Sequence, residues 1–101
     1  MCIRDSSCVD LKFLTDKPAT VDEINKAIKE AAHGNLKGIL GYDENSLVSI
    51  DFNHSSESST FAAQQTKVLP SGMSRILSWY DNEWGFSNRM ADTAVAMGAL
   101  L

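Results

Sequence analysis

Asn82 stands where a single side chain could hold a flat amide. The stretch Ser78-Trp79-Tyr80-Asp81-Asn82-Glu83-Trp84-Gly85-Phe86-Ser87-Asn88-Arg89 contains both tryptophans of the chain. An apolar segment, residues 75–80, runs into polar Asp81-Asn82. Immediately afterwards Trp84, Phe86, Met90, Ala94, Met97 and Leu101 recur at spacings of two to four, a helix pattern that continues to the last residue. A carboxamide fixed at such a switch offers one acceptor and two donor hydrogens in one plane, which complements another carboxamide. A purely structural role competes with this one. Asp and Asn are among the best helix N-caps, and Trp79 and Trp84 would fit a core.

Other reactive side chains carry less. Cys8 lies inside a strand pattern and reads as a small buried hydrophobe. With Cys2 it makes two free thiols, not a disulfide framework. His33 and His54 lack the i, i+4 partner or the Cys/His/carboxylate cluster that holds zinc. His33 falls in the last turn of a helix, where it complements the dipole, and His54 in a polar loop; both read as structural. Gly38, Gly41 and Gly72 form no phosphate-cradling loop, and a Gly-x-Gly-x-x-Gly fingerprint is absent. No catalytic residue and no metal ligand is expected among these residues.

The elements that must position Asn82 can be read along the chain. Residues 9–14 alternate and stop before Lys17-Pro18, a strand ended by proline. Thr20-Val21-Asp22-Glu23 is a capping box that opens a helix over about residues 21–32, with Gly34 placed for a left-handed C-terminal cap. Residues 38–42 and 47–52 read as strands around an Asp43-Glu44-Asn45 turn, and 53–59 as a polar loop. Residues 60–63 and 66–69 read as short strands, and Pro70-Ser71-Gly72 as the turn into strand 75–80.

The chain has 101 residues, 44% hydrophobic and 22% charged, a globular composition that allows one ordinary domain at most. A net charge of -4, with nine scattered Lys and Arg, argues against a nucleic-acid partner. No apolar run approaches the roughly 18–20 residues of a membrane span, and no apolar signal region follows Met1. A cytoplasmic location is the expectation. Met1-Cys2-Ile3-Arg4-Asp5-Ser6 resembles the translation of a transposase sequencing adaptor, so residues 1–6 are expected to be a foreign scar, the native chain beginning upstream of Ser7.

The junction closely resembles the C-terminal signature of phosphorylating glyceraldehyde-3-phosphate dehydrogenases, Trp-Tyr-Asp-Asn-Glu-Trp-Gly-[Tyr/Phe]-Ser-Asn-Arg. Asp16-Lys17-Pro18-Ala19-Thr20 with Asp22-Glu23-Ile24, Leu36-Lys37-Gly38-Ile39-Leu40-Gly41-Tyr42 and Val48-Ser49-Ile50-Asp51-Phe52 resemble other family segments in order and spacing, so the likeness covers residues 7–101. The resemblance implies oxidation of a phosphorylated aldehyde with NAD and inorganic phosphate through a cysteine thioester. NAD is the implied cofactor, with NADP open. The asparagine matching Asn82 binds the nicotinamide carboxamide in that family, and Phe86 stands where many members have a tyrosine beside the nicotinamide. Its phenolic hydroxyl is missing here. Ala62-Ala63 also departs from the Asp-Ala of many members. Ser7-Cys8 does not continue into the family's catalytic Thr-Thr-Asn, so the nucleophile, the general-base histidine and the nucleotide-binding half are expected upstream, and the 101 residues alone are expected to be inactive.

The expected fold is α+β, a mixed sheet covered by helices. It divides into the scar (1–6), a partial catalytic domain (7–82) and a C-terminal helix (83–101) that in the family returns to the NAD-binding domain. The family's tetrameric habit implies a homotetramer, with residues 60–69 toward other subunits. Two alternatives stand beside this reading. Asp51-Phe52-Asn53-His54, Gln65-Thr66-Lys67-Val68 and Phe86 also resemble erythrose-4-phosphate dehydrogenases. A free-standing, non-catalytic interaction module would instead require a self-sufficient core, with covered strand edges and a covered terminal helix.

Overall fold

Residues 6–101 are described by a computed structural model. In chain order they form β1 (Ser7–Leu14), α1 (Val21–His33), β2 (Leu40–Asp43), β3 (Ser59–Ala62), β4 (Lys67–Val68), β5 (Met73–Tyr80) and α2 (Trp84–Gly98). Five strands in one mixed sheet with two helices make this an α+β fold, as expected from the sequence. Of the segment expected to be foreign, residues 1–5, Cys2 among them, lie outside the described residues. Ser6 is buried, and its hydroxyl donates to the Ser49 carbonyl at 2.9 Å.

The sheet runs β1-β5-β3-β2, with β4 also on β5. β1 pairs antiparallel with β5 along its whole length, from Ser7 opposite Tyr80 to Leu14 opposite Met73. β3 and β4 share the other edge of β5, Phe61 opposite Ser78 and Lys67 opposite Arg75. Between those two pairings the register slips by three residues. The three-residue 3-10 turn Ala63–Gln65 takes up the slip, so β3 and β4 act as one interrupted strand. The β4–β5 hairpin closes at Pro70-Ser71-Gly72, where the Leu69 amide donates to the Met73 carbonyl at 2.9 Å. β2 and β3 are parallel and therefore need a long crossover, which residues 44–58 provide.

That crossover overturns one expected strand. Residues 47–52 contain not a strand but a 3-10 turn, Ser49–Phe52. The Asp51 carboxylate accepts from the Val48 amide at 2.8 Å, which closes the turn. Leu47, Val48 and Ile50 are exposed, and only Phe52 is buried, stacked on Trp79 with centroids 5.8 Å apart. An apolar run with a single buried member has no sheet face to line.

α1 begins as its capping box requires. The Thr20 hydroxyl accepts from the Glu23 amide at 3.2 Å, and the Thr20 amide donates to the Glu23 carboxylate at 2.8 Å. Asn25 ties the helix to the 3-10 turn after β3, donating to the Ala63 carbonyl and accepting from the Thr66 hydroxyl. Gly34 is not left-handed, contrary to expectation: its φ is -102°, and the positive φ falls four residues later at Gly38 (78°). Gly34 is needed for closeness, because a Cβ there would meet the Glu30 carbonyl oxygen at 2.8 Å.

Cys8 is exposed, not buried as expected. β1 is an edge strand, and Val9, Leu11 and Leu14 are exposed with it. α2 is barer still: only Gly85 is buried along it. The radius of gyration, 15.2 Å, exceeds the ~13 Å of a compact 100-residue domain, as a helix lying off the sheet requires.

Candidate functional site

The end of β5 and the start of α2 are joined by one carboxylate. Asp81 is 7% exposed. Its Oδ1 accepts from the amides of Glu83 at 2.9 Å and Trp84 at 2.6 Å, which are orphan donors of the first turn of α2. Its Oδ2 accepts from the His54 amide at 2.9 Å, in the loop before β3. Burial pushes the Asp81 carboxyl upward, but the amides of Trp84, His54 and Glu83 together outweigh it and hold the group below its ordinary value. The capping role assigned to the Asp81-Asn82 pair therefore belongs to Asp81.

His54 adopts φ 63°, the one non-glycine residue with positive φ among those described. Such a conformation costs on the order of 1 kcal/mol and persists where surrounding contacts determine it. Here the hydrogen bond donated by the His54 amide to Asp81 supplies one contact, and the imidazole, tilted against Trp84 with centroids 6.1 Å apart, supplies another. Both contacts of His54 are to the junction between β5 and α2. His33, in the last turn of α1, has its Nδ1 2.8 Å from the Lys29 carbonyl oxygen.

Asn82 follows Asp81 directly and is half-buried. Phe86, one helical turn on, is 65% exposed. It heads a shallow groove of about 320 Å³ along α2, lined by Phe86, Arg89, Met90, Thr93, Ala94 and Met97. Of the two sequence-predicted site residues, Phe86 thus lies in the first turn of α2, and Asn82 lies in the connection just before it. Trp79 is packed on Phe52, whereas Trp84 is 49% exposed, so the two tryptophans do not form one core.

Two further contacts hold α2, and sequence reasoning missed both. Gly85 lies so close to the 53–58 loop that a Cβ would meet the Glu57 carbonyl oxygen at 2.8 Å. Arg89 donates to the Gly38 carbonyl at 3.3 Å and the Ser58 hydroxyl at 3.2 Å, while Asp92 holds its guanidinium at 2.7 Å. Glycine one residue inside a helix, with arginine four residues later on the same face, was the available signal.

Among the described residues no three His, Cys, Asp or Glu side chains gather as a metal site, and no helix is long and apolar enough to cross a membrane. The model of the family described as "Glyceraldehyde 3-phosphate dehydrogenase, C-terminal domain" matches residues 1–82. The chain is 60% identical over 94 residues to the glyceraldehyde-3-phosphate dehydrogenase of Xanthobacter flavus, covering 93% of this chain and 28% of that protein. It is 62% identical over 95 residues to that of Cereibacter sphaeroides, covering 94% and 28%. To the cytosolic enzyme of Pinus sylvestris it is 52% identical over 95 residues, again 94% and 28%. The chain therefore spans about 28% of the length of these curated relatives.

Proposed function

This chain belongs to the glyceraldehyde-3-phosphate dehydrogenase family, and from that premise we propose that it serves a complete enzyme as the part that holds the nicotinamide end of NAD. The whole protein oxidises glyceraldehyde 3-phosphate and captures the acyl group from a cysteine thioester with inorganic phosphate. Its nucleophile and base come from outside the 101 residues, so the chain alone turns over no substrate. The whole protein works as a cytoplasmic homotetramer, and residues 83–101 pack on its nucleotide-binding part.

The donor set fits the cofactor. Asn82 carries a planar amide of the kind that pairs with the nicotinamide carboxamide, and Phe86 supplies an apolar wall without a competing hydroxyl. Bound NAD supplies the hydride acceptor, and the protein's part is to present one ring face at a fixed place. The observation that carries this reading is the Asp81 clamp. Three backbone amides converge on one buried carboxylate directly before Asn82, so the asparagine is placed by fixed main chain on both sides. Placement of this kind lowers a barrier by keeping the reacting partners in register.

The test is kinetic and uses a complete enzyme, assembled by grafting this chain in place of the matching 94 residues of the Xanthobacter flavus protein. Asn82→Ala should lower kcat/KM for NAD about 10- to 100-fold while KM for the aldehyde changes little. Unchanged NAD kinetics would remove Asn82 from the site. The isolated 101 residues, given NAD, aldehyde and phosphate, should show no turnover above buffer.

A further inference from the structure

α2 is attached to the sheet almost entirely by its first two turns. Beyond Gly85, none of its residues is buried. The direction in which it leaves β5 must therefore be set by the contacts of Asp81, Gly85 and Arg89. Of these, Arg89 reaches furthest: its acceptors lie 51 and 31 positions away along the chain. The two acceptors are themselves joined, because the Ser58 amide donates to the carbonyl of Ile39, next to Gly38, at 2.8 Å. Arg89 thus fills a node where the α1–β2 turn meets the loop before β3. Asp92 orients the guanidinium from within the helix, through Nε at 2.9 Å and a terminal nitrogen at 2.7 Å. Five donors in a rigid fork suit this task, and a lysine ammonium could not reproduce it.

We propose that Arg89 is a positioning residue for cofactor binding: by locking the second turn of α2 to Gly38 and Ser58, it fixes where Phe86 stands relative to Asn82. Gly85 lies one turn before Arg89 on the same face, so the pair defines a line of contact along the helix. Phe86 projects about 100° around the axis from Gly85. Releasing Arg89 lets the helix roll on the Glu57 contact, and a roll shifts Phe86 relative to Asn82, which the Asp81 clamp still holds. The Asp81 clamp alone would leave this rotation open, because it holds the first turn at one end only. This inference rests on the reading of Asn82 as the nicotinamide ligand.

The experiment compares two ligands of the complete enzyme by calorimetric titration: NAD, and ADP-ribose, which lacks the nicotinamide. Arg89→Met should lower the ratio of NAD to ADP-ribose affinity about tenfold, with ADP-ribose affinity held within about twofold. Ser58→Ala, which removes one acceptor and leaves the fold intact, should lower the ratio about two- to threefold in the same direction. A merely structural role predicts equal losses for both ligands, and that result would overturn the proposal. Asn82→Ala separates the two claims. If it lowers the ratio while Arg89→Met leaves it unchanged, the positioning role falls and the Asn82 reading stands. If Asn82→Ala itself leaves the ratio unchanged, both fall. Should Arg89→Met not fold, Ser58→Ala decides, an unaltered ratio overturning the proposal.

Discussion

α1 and α2 are nearly equal in length, 13 and 15 residues, yet they are secured in opposite ways. α1 carries its own start signal, with Thr20 and Glu23 satisfying each other's backbone within one turn. Its body is then tied through Asn25 to the turn after β3, and the Lys29 ammonium reaches Glu44, just past β2, at 2.7 Å on the surface. α2 has no side-chain cap from Glu83 and no acidic residue in its first turn. Its cap comes from Asp81 in the connection before it, and that carboxylate is shared with the 53–58 loop. One helix is built to stay where it forms. The other is held by its root, with Met90, Val95 and Met97 left exposed along its length. The difference teaches where function sits: the root of α2 is over-determined, and the residues of the proposed site lie within it.

The contrast can be broken most directly at Asp81. In the complete enzyme, Asp81→Ala removes the acceptor of three amides at a buried position, a loss of about 2 kcal/mol of local stability. Hydrogen exchange of the Glu83 and Trp84 amides should accelerate roughly 30-fold, with the α1 amides unaffected. Acceleration in both helices would mean that they are not independently secured. A smaller effect is expected from Thr20→Ala, about 1 kcal/mol, seen as roughly fivefold faster exchange confined to the first turn of α1. The smallest effect is the response to acid. Asp81 and Glu23 both have lowered folded-state values, Asp81 because its three amide bonds outweigh its burial and Glu23 because it accepts from Thr20. Their contributions are therefore complete above the unfolded carboxylate range near pH 4, and are lost as pH falls through the lower folded values. Exchange at both helix starts should hold steady from pH 7 to about 5, after correction for intrinsic rates, and quicken only below about 4. Loss of protection already at pH 6 would contradict the assignment to these carboxylates.

Much of the framework was legible because its causes are local. Thr20-Val21-Asp22-Glu23 announces α1, Pro70-Ser71-Gly72 announces the last hairpin, and residues 75–80 announce the central strand. The errors share a different cause. Leu47, Val48 and Ile50 look like a strand, but whether an apolar run is covered depends on what lies above it, and these three are exposed among the described residues. Cys8 looked buried for the same reason, and β1 proved to be an edge. Gly34 and Gly38 both follow α1, and the choice between them rests on the Glu30 carbonyl and the path of the turn, not on residue type. At the candidate site, the sequence pointed to Asn82 and Phe86 but not to what holds them. Asp81 and Arg89 each have local partners, but the ones that tie them to the rest of the fold lie 27 to 51 positions away, beyond the reach of any local pattern. His54 carried a faint signal, since histidine and asparagine enter left-handed conformations more readily than most residues.

We propose that the Asp81-anchored junction presents Asn82 to the nicotinamide carboxamide. A crystal structure of the complete enzyme with NAD tests it most directly. The account predicts the Asn82 amide within about 3.2 Å of the carboxamide, with the His54 and Trp84 amides still donating to Asp81. A carboxamide held by other residues, with Asn82 more than about 4 Å away, would contradict it.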